Sequence, residues 1–157
     1  MMRQLIVLMA LAATVRGESV REKLLGIWEL TGYDLRAADG KVTYPFGQTP
    51  VGRIAYMAGG QMDAQLMRPG LAKFASDNRY LVQPAEAVAA MKGYMGYFGT
   101  FTVDEARGVV IHHVKGASFP NYVGTDQVRK YRFEGDRLTL EADTAAGQAR
   151  VYWKRAR

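Results

Sequence analysis

The chain has 157 residues, no cysteine and a formal net charge of +6. That length suits one domain with a proper core, and 48% hydrophobic against 23% charged residues excludes a disordered chain. The lack of thiols excludes disulfides, thiolate zinc sites and cysteine nucleophiles.

The positive charge is diffuse. Only Lys154-Arg155-Ala156-Arg157 is dense, and Gln127 to Arg132 sets bases among apolar residues as a solvated strand does, so no nucleic-acid partner is expected. At the other end Arg3 precedes an apolar run from Leu5 to Ala13, the layout of a secretory signal. Residues 1–17 are therefore expected to be a signal peptide and 18–157 the folded domain, periplasmic or secreted; a cytoplasmic protein with an apolar N-terminus is the alternative. The run is too short to span a bilayer comfortably, and no stable membrane insertion is expected after processing.

Leu24 to Leu35 alternates around Trp28 and Leu30 and reads as a first strand, with Asp39-Gly40 as its turn. Val42 to Pro50, with two prolines and a glycine, reads as an ordered loop. Val51 to Met57 and Gln61 to Met67 form a hairpin about Gly59-Gly60, with Met62, Ala64 and Leu66 on one face. Pro84 and Glu86 open a helix of about ten residues, whose stripe is Ala87, Val88, Met91 and Met95. Strands then follow at Tyr97 to Val103, Val109 to Lys115, Gln127 to Glu134, Arg137 to Asp143 and Gln148 to Lys154. About eight alternating strands with tight turns and one short helix near the opening predict an all-β, up-and-down antiparallel barrel, which can enclose one small ligand.

Setting Val103 opposite Val109 across a five-residue turn places Phe101 opposite Ile111 and Gly99 opposite His113, with His113 on the apolar face. A one-residue shift exchanges His112 and His113.

Gly26-Ile27-Trp28 opening the first strand resembles the Gly-x-Trp signature of lipocalins and their calycin relatives. The runs VTYPFGQTPVGRIAYMAGGQMDAQLMRPG and GYFGTFTVDEARGVVIHHVKGASFPNYVGTDQVRKYRFEGDRLTL are similar to the lipocalin-like domain family of bacterial and fungal proteins, over about Leu24 to Trp153. The resemblance implies a barrel whose interior holds an apolar or amphipathic small molecule, with the tryptophan closing its bottom. It implies no particular chemistry, because fold does not fix function.

Candidate ligand contacts follow from residue type and strand parity. His113 could make a structural hydrogen bond to a loop backbone, contact a ligand or act as a base. Arg129, in phase with Tyr131 and Phe133, could grip a ligand oxygen, and Arg53 is a weaker candidate of that kind. Gln65 and Tyr97 could add neutral hydrogen bonds, while Phe101 and Met62 would supply apolar wall. Adjacent histidines on a strand point oppositely, so no metal site is expected, and no nucleotide or cofactor motif is present. The leading expectation is binding, transport or sequestration of a small molecule. The alternative is an isomerase or lyase using His113 as base and Arg129 to stabilise an anion.

Overall fold

A computed structural model describes residues 17–157; the expected signal peptide lies outside the described residues save its last position. Helix α1 (Val20–Leu24) is followed by strands β1 (Gly26–Arg36), β2 (Val42–Thr43), β3 (Val51–Tyr56) and β4 (Gln61–Met67). Helix α2 (Pro84–Gly93) then leads into β5 (Tyr94–Asp104), β6 (Val109–Ala117), β7 (Asp126–Glu134), β8 (Arg137–Thr144) and β9 (Gly147–Arg155). Neighbours in the sheet are antiparallel and nearly all consecutive, and β1 pairs with both β3 and β9, closing an eight-strand barrel. The short β2 is an extra strand laid on the end of β1.

One end is closed by side chains. Ser19 and Glu22 form a reciprocal capping box that starts α1, so Leu24 ends a helix and the first strand begins at Gly26. The helix lies under Trp28, whose Nε1 donates to the Leu24 carbonyl at 2.8 Å. Arg155 stacks on the same indole, 4.1 Å from its centroid, and donates to the carbonyls of Leu25 and Lys23. Trp28 is fully buried, as the bottom of a barrel requires.

The other end is the mouth. There the loop after β2 drops Phe46 edge-on to Tyr33, with ring centroids 5.1 Å apart. The segment from Arg68 to Gly93 leaves the wall and returns to it, its neck held by the Arg68 amide donating to the Gly93 carbonyl at 2.8 Å. Helix α2 starts as expected, with Pro84 in its first turn and Glu86 reaching back to the Gln83 amide. Its expected apolar stripe does not pack on the barrel. Val88 and Met91 are exposed, Met95 already belongs to β5, and Gly93 is the helix's one buried residue.

Two features of the sheet position the interior side chains. The first is the β5–β6 hairpin, whose turn has four residues, Glu105 to Gly108; Asp104 still pairs, with Val109. Val103 therefore faces Val110, Phe101 faces His112 and Thr100 faces His113, one residue away from the expected register. The second is an incomplete seam. β7 pairs with β8 only over Lys130–Glu134 and Arg137–Glu141, so near the mouth Asp126 to Arg129 and Ala142 to Thr144 do not pair with each other.

Candidate ligand-binding site

Along β3 the residues Ile54 and Tyr56 point inward, and along β4 so do Met62, Ala64 and Leu66. On β5 Tyr97 and Phe101 are buried in the same interior, and on β6 the inward residues are Val110, His112 and Val114. At the centre His112 lies between two phenols. Its Nε2 is 2.8 Å from the Tyr56 hydroxyl and its Nδ1 is 2.9 Å from the Tyr97 hydroxyl.

The protonation states follow from burial. His112 has no exposed surface; burial first, then the charge on Arg129 and the neighbouring His113, push its pKa well below the ordinary 6.5, so the imidazole is neutral near pH 7. Burial likewise raises Tyr56 and Tyr97, with Arg129 acting in the opposite direction on both, and they remain phenols. A neutral imidazole has one donor and one acceptor nitrogen. His112 Nε2 is the hydrogen-bond partner of the Tyr56 hydroxyl. If Nε2 carried the hydrogen, the Tyr56 proton would be left unpaired in a dry core at a cost of about 1–3 kcal/mol. The favoured arrangement is therefore Tyr56 O–H to Nε2, and Nδ1–H to the Tyr97 oxygen. That leaves the Tyr97 proton free to donate elsewhere.

Above this relay is a cavity of ≈ 40 Å³ lined by Tyr33, Ile54, Leu66, Met95, Tyr97, Tyr122, Arg129 and Trp153, and toward the mouth by Ala142, Thr144 and Ala149. A water needs about 10–15 Å³ of such space, so the cavity admits a small head group rather than a whole apolar ligand. Arg129 reaches it from β7 beside the incomplete seam, with Nη1 donating to the Val128 carbonyl at 3.0 Å and Nη2 to Gln127 Oε1 at 3.1 Å. Trp153, on β9, is 2% exposed, and its indole Nε1 has no hydrogen-bond partner among the described residues.

The structure gathers only part of the expected constellation. Arg129 and Tyr97 line the cavity, and Phe101 and Met62 belong to the buried interior below it. His113 does not face inward: its Nδ1 is 2.6 Å from Asp126 Oδ1 and its Nε2 is 2.9 Å from the Thr102 hydroxyl, both on the outside of the wall. The one-residue difference in register is the reason. Nor does Gly99 leave room for a guest, since a Cβ there would lie 2.0 Å from the His113 carbonyl oxygen. Gln65 and Arg53 alternate with the buried Ile54, Ala64 and Leu66 and so also lie outside, where Arg53 faces Asp63 at 4.0 Å. His113 and Arg129 thus stand on opposite sides of the wall, and the expected pairing of the two around one substrate is corrected. Tyr56, His112 and Trp153 were not among the expected site residues. Among the described residues no group of three or more metal-ligating side chains is assembled.

A family model described as a lipocalin-like domain matches residues 25–156. The chain belongs to this lipocalin-like family. It is 36% identical over an alignment of 85 residues, which covers 50% of this chain and 77% of the relative, to the 4'-hydroxy-3'-methoxypropiophenone carrier protein ppsC of Aspergillus oryzae. A crystal structure of a mutant of the fluorescent protein UnaG overlaps 86% of this chain and 97% of its own, with 14% identity and a TM-score of 0.41.

Proposed function

We propose that this lipocalin-like protein carries or sequesters a small amphipathic molecule, seated at the mouth of the barrel with its polar end in the cavity. The observation that carries this reading is the composition of the cavity: apolar walls from Ile54, Leu66 and Met95 converge on a few polar groups, Tyr97, Arg129 and Trp153, as ligand sites do. The similarity to a carrier for an aryl ketone supports it. An aromatic body larger than the cavity would lie across the mouth, displacing the half-buried Met95 and Tyr122.

The isomerase or lyase reading has less support. Both ring nitrogens of His112 are engaged by phenols, so neither is free to take a proton from a ligand. The expected export of the protein is part of the proposal, because a carrier with a cleaved N-terminus would act on molecules outside the cytoplasm.

The test is direct. Native mass spectrometry of freshly purified protein, with extraction of any bound molecule, should find a small amphipathic compound. Titration with 4'-hydroxy-3'-methoxypropiophenone, followed through tryptophan fluorescence, should saturate with one site. Protein that is empty and also unresponsive to that compound at millimolar concentration would count against the ligand class taken from the relative; protein that binds no small molecule at all would end the carrier reading.

A further inference from the structure

We propose that the cavity recognises its ligand by an oxygen acceptor, a carbonyl or carboxylate on an apolar body, held by the Trp153 Nε1–H, the Tyr97 O–H and Arg129. This rests on the carrier reading above and gives it a chemical direction.

The polar groups assigned here are donors. Trp153 Nε1 can only donate, is buried, and has no partner among the described residues. Such a group is costly unless something supplies an acceptor. Tyr97 is a donor toward the cavity because its oxygen already accepts from His112 Nδ1, as the buried Tyr56 requires. Arg129 has five N–H donors, no acceptor and a fixed positive charge. Two nearby acceptors already hold a bond: Gln127 Oε1 takes one from Arg129, and the Thr144 hydroxyl accepts from the Ala146 amide while donating to the Gly147 carbonyl; the Tyr33 and Tyr122 hydroxyls, which also line the cavity, can donate or accept.

An incoming ligand therefore meets buried donors and a cationic side chain. A carbonyl or carboxylate oxygen satisfies Trp153 and Tyr97 and is attracted by Arg129. A hydrocarbon leaves the indole donor as it was, and an ammonium is repelled by Arg129. The cavity volume fits this division, since ≈ 40 Å³ suits a head group while the body extends past Met95 and Tyr122.

Four probes of similar size separate the possibilities: 3-phenylpropanoate, phenyl ethyl ketone, n-butylbenzene and 3-phenylpropylammonium. The sequence contains two tryptophans, giving two indole N–H signals in a ¹H–¹⁵N spectrum. Trp28, held by the Leu24 carbonyl, is the internal control. The carboxylate and the ketone should bind roughly tenfold or more tighter than the hydrocarbon, the scale of one well-made hydrogen bond, and should move the Trp153 signal downfield while Trp28 stays still. The ammonium should bind weakest.

If the carboxylate exceeds the ketone and Arg129→Met makes them equal, the ligand end is anionic; equal binding in the parent assigns a neutral carbonyl. Trp153→Phe should weaken the two acceptor probes and not the hydrocarbon. If that variant does not fold, Arg129→Met and the indole shift in the parent carry the test. Hydrocarbon binding as tight as the acceptors, or interior methyl shifts from Ile54 and Leu66 with an unmoved Trp153 signal, overturns the inference while leaving the carrier reading in place. Absence of interior shifts with all four probes overturns the inference and counts against the carrier reading, which ends only if no small molecule binds.

Discussion

Arg155 and Trp28 are joined twice across the closed end of the barrel: the guanidinium lies 4.1 Å from the indole centroid, and the two residues are register partners in the β1–β9 ladder; the guanidinium also holds the carbonyls of Leu25 and Lys23. The indole in turn donates to Leu24. Helix α1, the start of β1 and the end of β9 are thereby fastened by one cation and one ring.

Trp28→Ala is expected to cost about 3–5 kcal/mol, the range for truncating a large buried aromatic. Arg155→Met keeps much of the packing and loses the charged hydrogen bonds, for an expected cost of about 1–3 kcal/mol. Urea denaturation measures both. A Trp28→Ala midpoint matching the parent would show that the ring does not hold the closed end.

His112 gives stability a pH dependence whose sign follows from burial. Its pKa is depressed in the folded protein, so below about pH 6.5, the ordinary histidine value, the unfolded chain takes up a proton that the folded protein refuses. Stability is complete above that pH and falls as the pH drops, by up to about 1.4 kcal/mol per unit from this group. Unfolding free energies from pH 8 to pH 5 should decline less steeply in His112→Gln than in the parent. Parallel profiles would mean that the imidazole is protonated in place.

The exterior positions supply the contrasting set. His113→Gln, Gln65→Ala and Arg53→Ala each change a side chain outside the wall, and binding of a cavity ligand should stay within about twofold of the parent, well under the effect of one lost hydrogen bond. Tyr97→Phe removes a donor and should weaken acceptor ligands about fivefold or more. Isothermal titration with the same ligand across the four variants checks the division. A large loss in His113→Gln alone would place the binding site outside the barrel.

Processing is open to direct sequencing. Protein recovered from its native host should begin between about Ala13 and Val20, as a cleaved signal requires. An intact Met1 in soluble cytosolic protein would remove the proposed export.

The barrel was legible because alternation repeats on strand after strand. Arg129 could be placed inward from Tyr131 and Phe133 alone, and β7 shows that period throughout. The register of β5 and β6 was not legible in the same way. Val109 and Val110 are both buried, so apolar character at the start of β6 does not mark the inward face. The turn length decides it, through Asp104, which stays paired with Val109 while its side chain accepts from the Arg107 amide at 3.1 Å. Tyr56 follows Ile54 at the spacing of inward residues and could have been found by carrying parity to the end of β3. Trp153 shares the parity of Ala149 and Val151 and could have been placed inside by that signal; its lack of a partner is visible only in three dimensions. The α2 stripe misled because helical spacing identifies a common face without showing that anything covers it.

The bond between the Arg68 amide and the Gly93 carbonyl continues the β4–β5 ladder past its last strand pair, Met67 with Tyr94. The chain therefore leaves the wall and re-enters it through adjacent rungs, and what lies between behaves as an appendage on a finished frame. Doubling the length of such a connection costs only about 0.6 kcal/mol of closure entropy. Residues 69–92 can thus be rewritten, lengthened or grafted from a relative while Tyr56, His112 and Tyr97 keep their geometry. Recognition of a ligand's head and tolerance of its tail are, in this architecture, separately heritable traits.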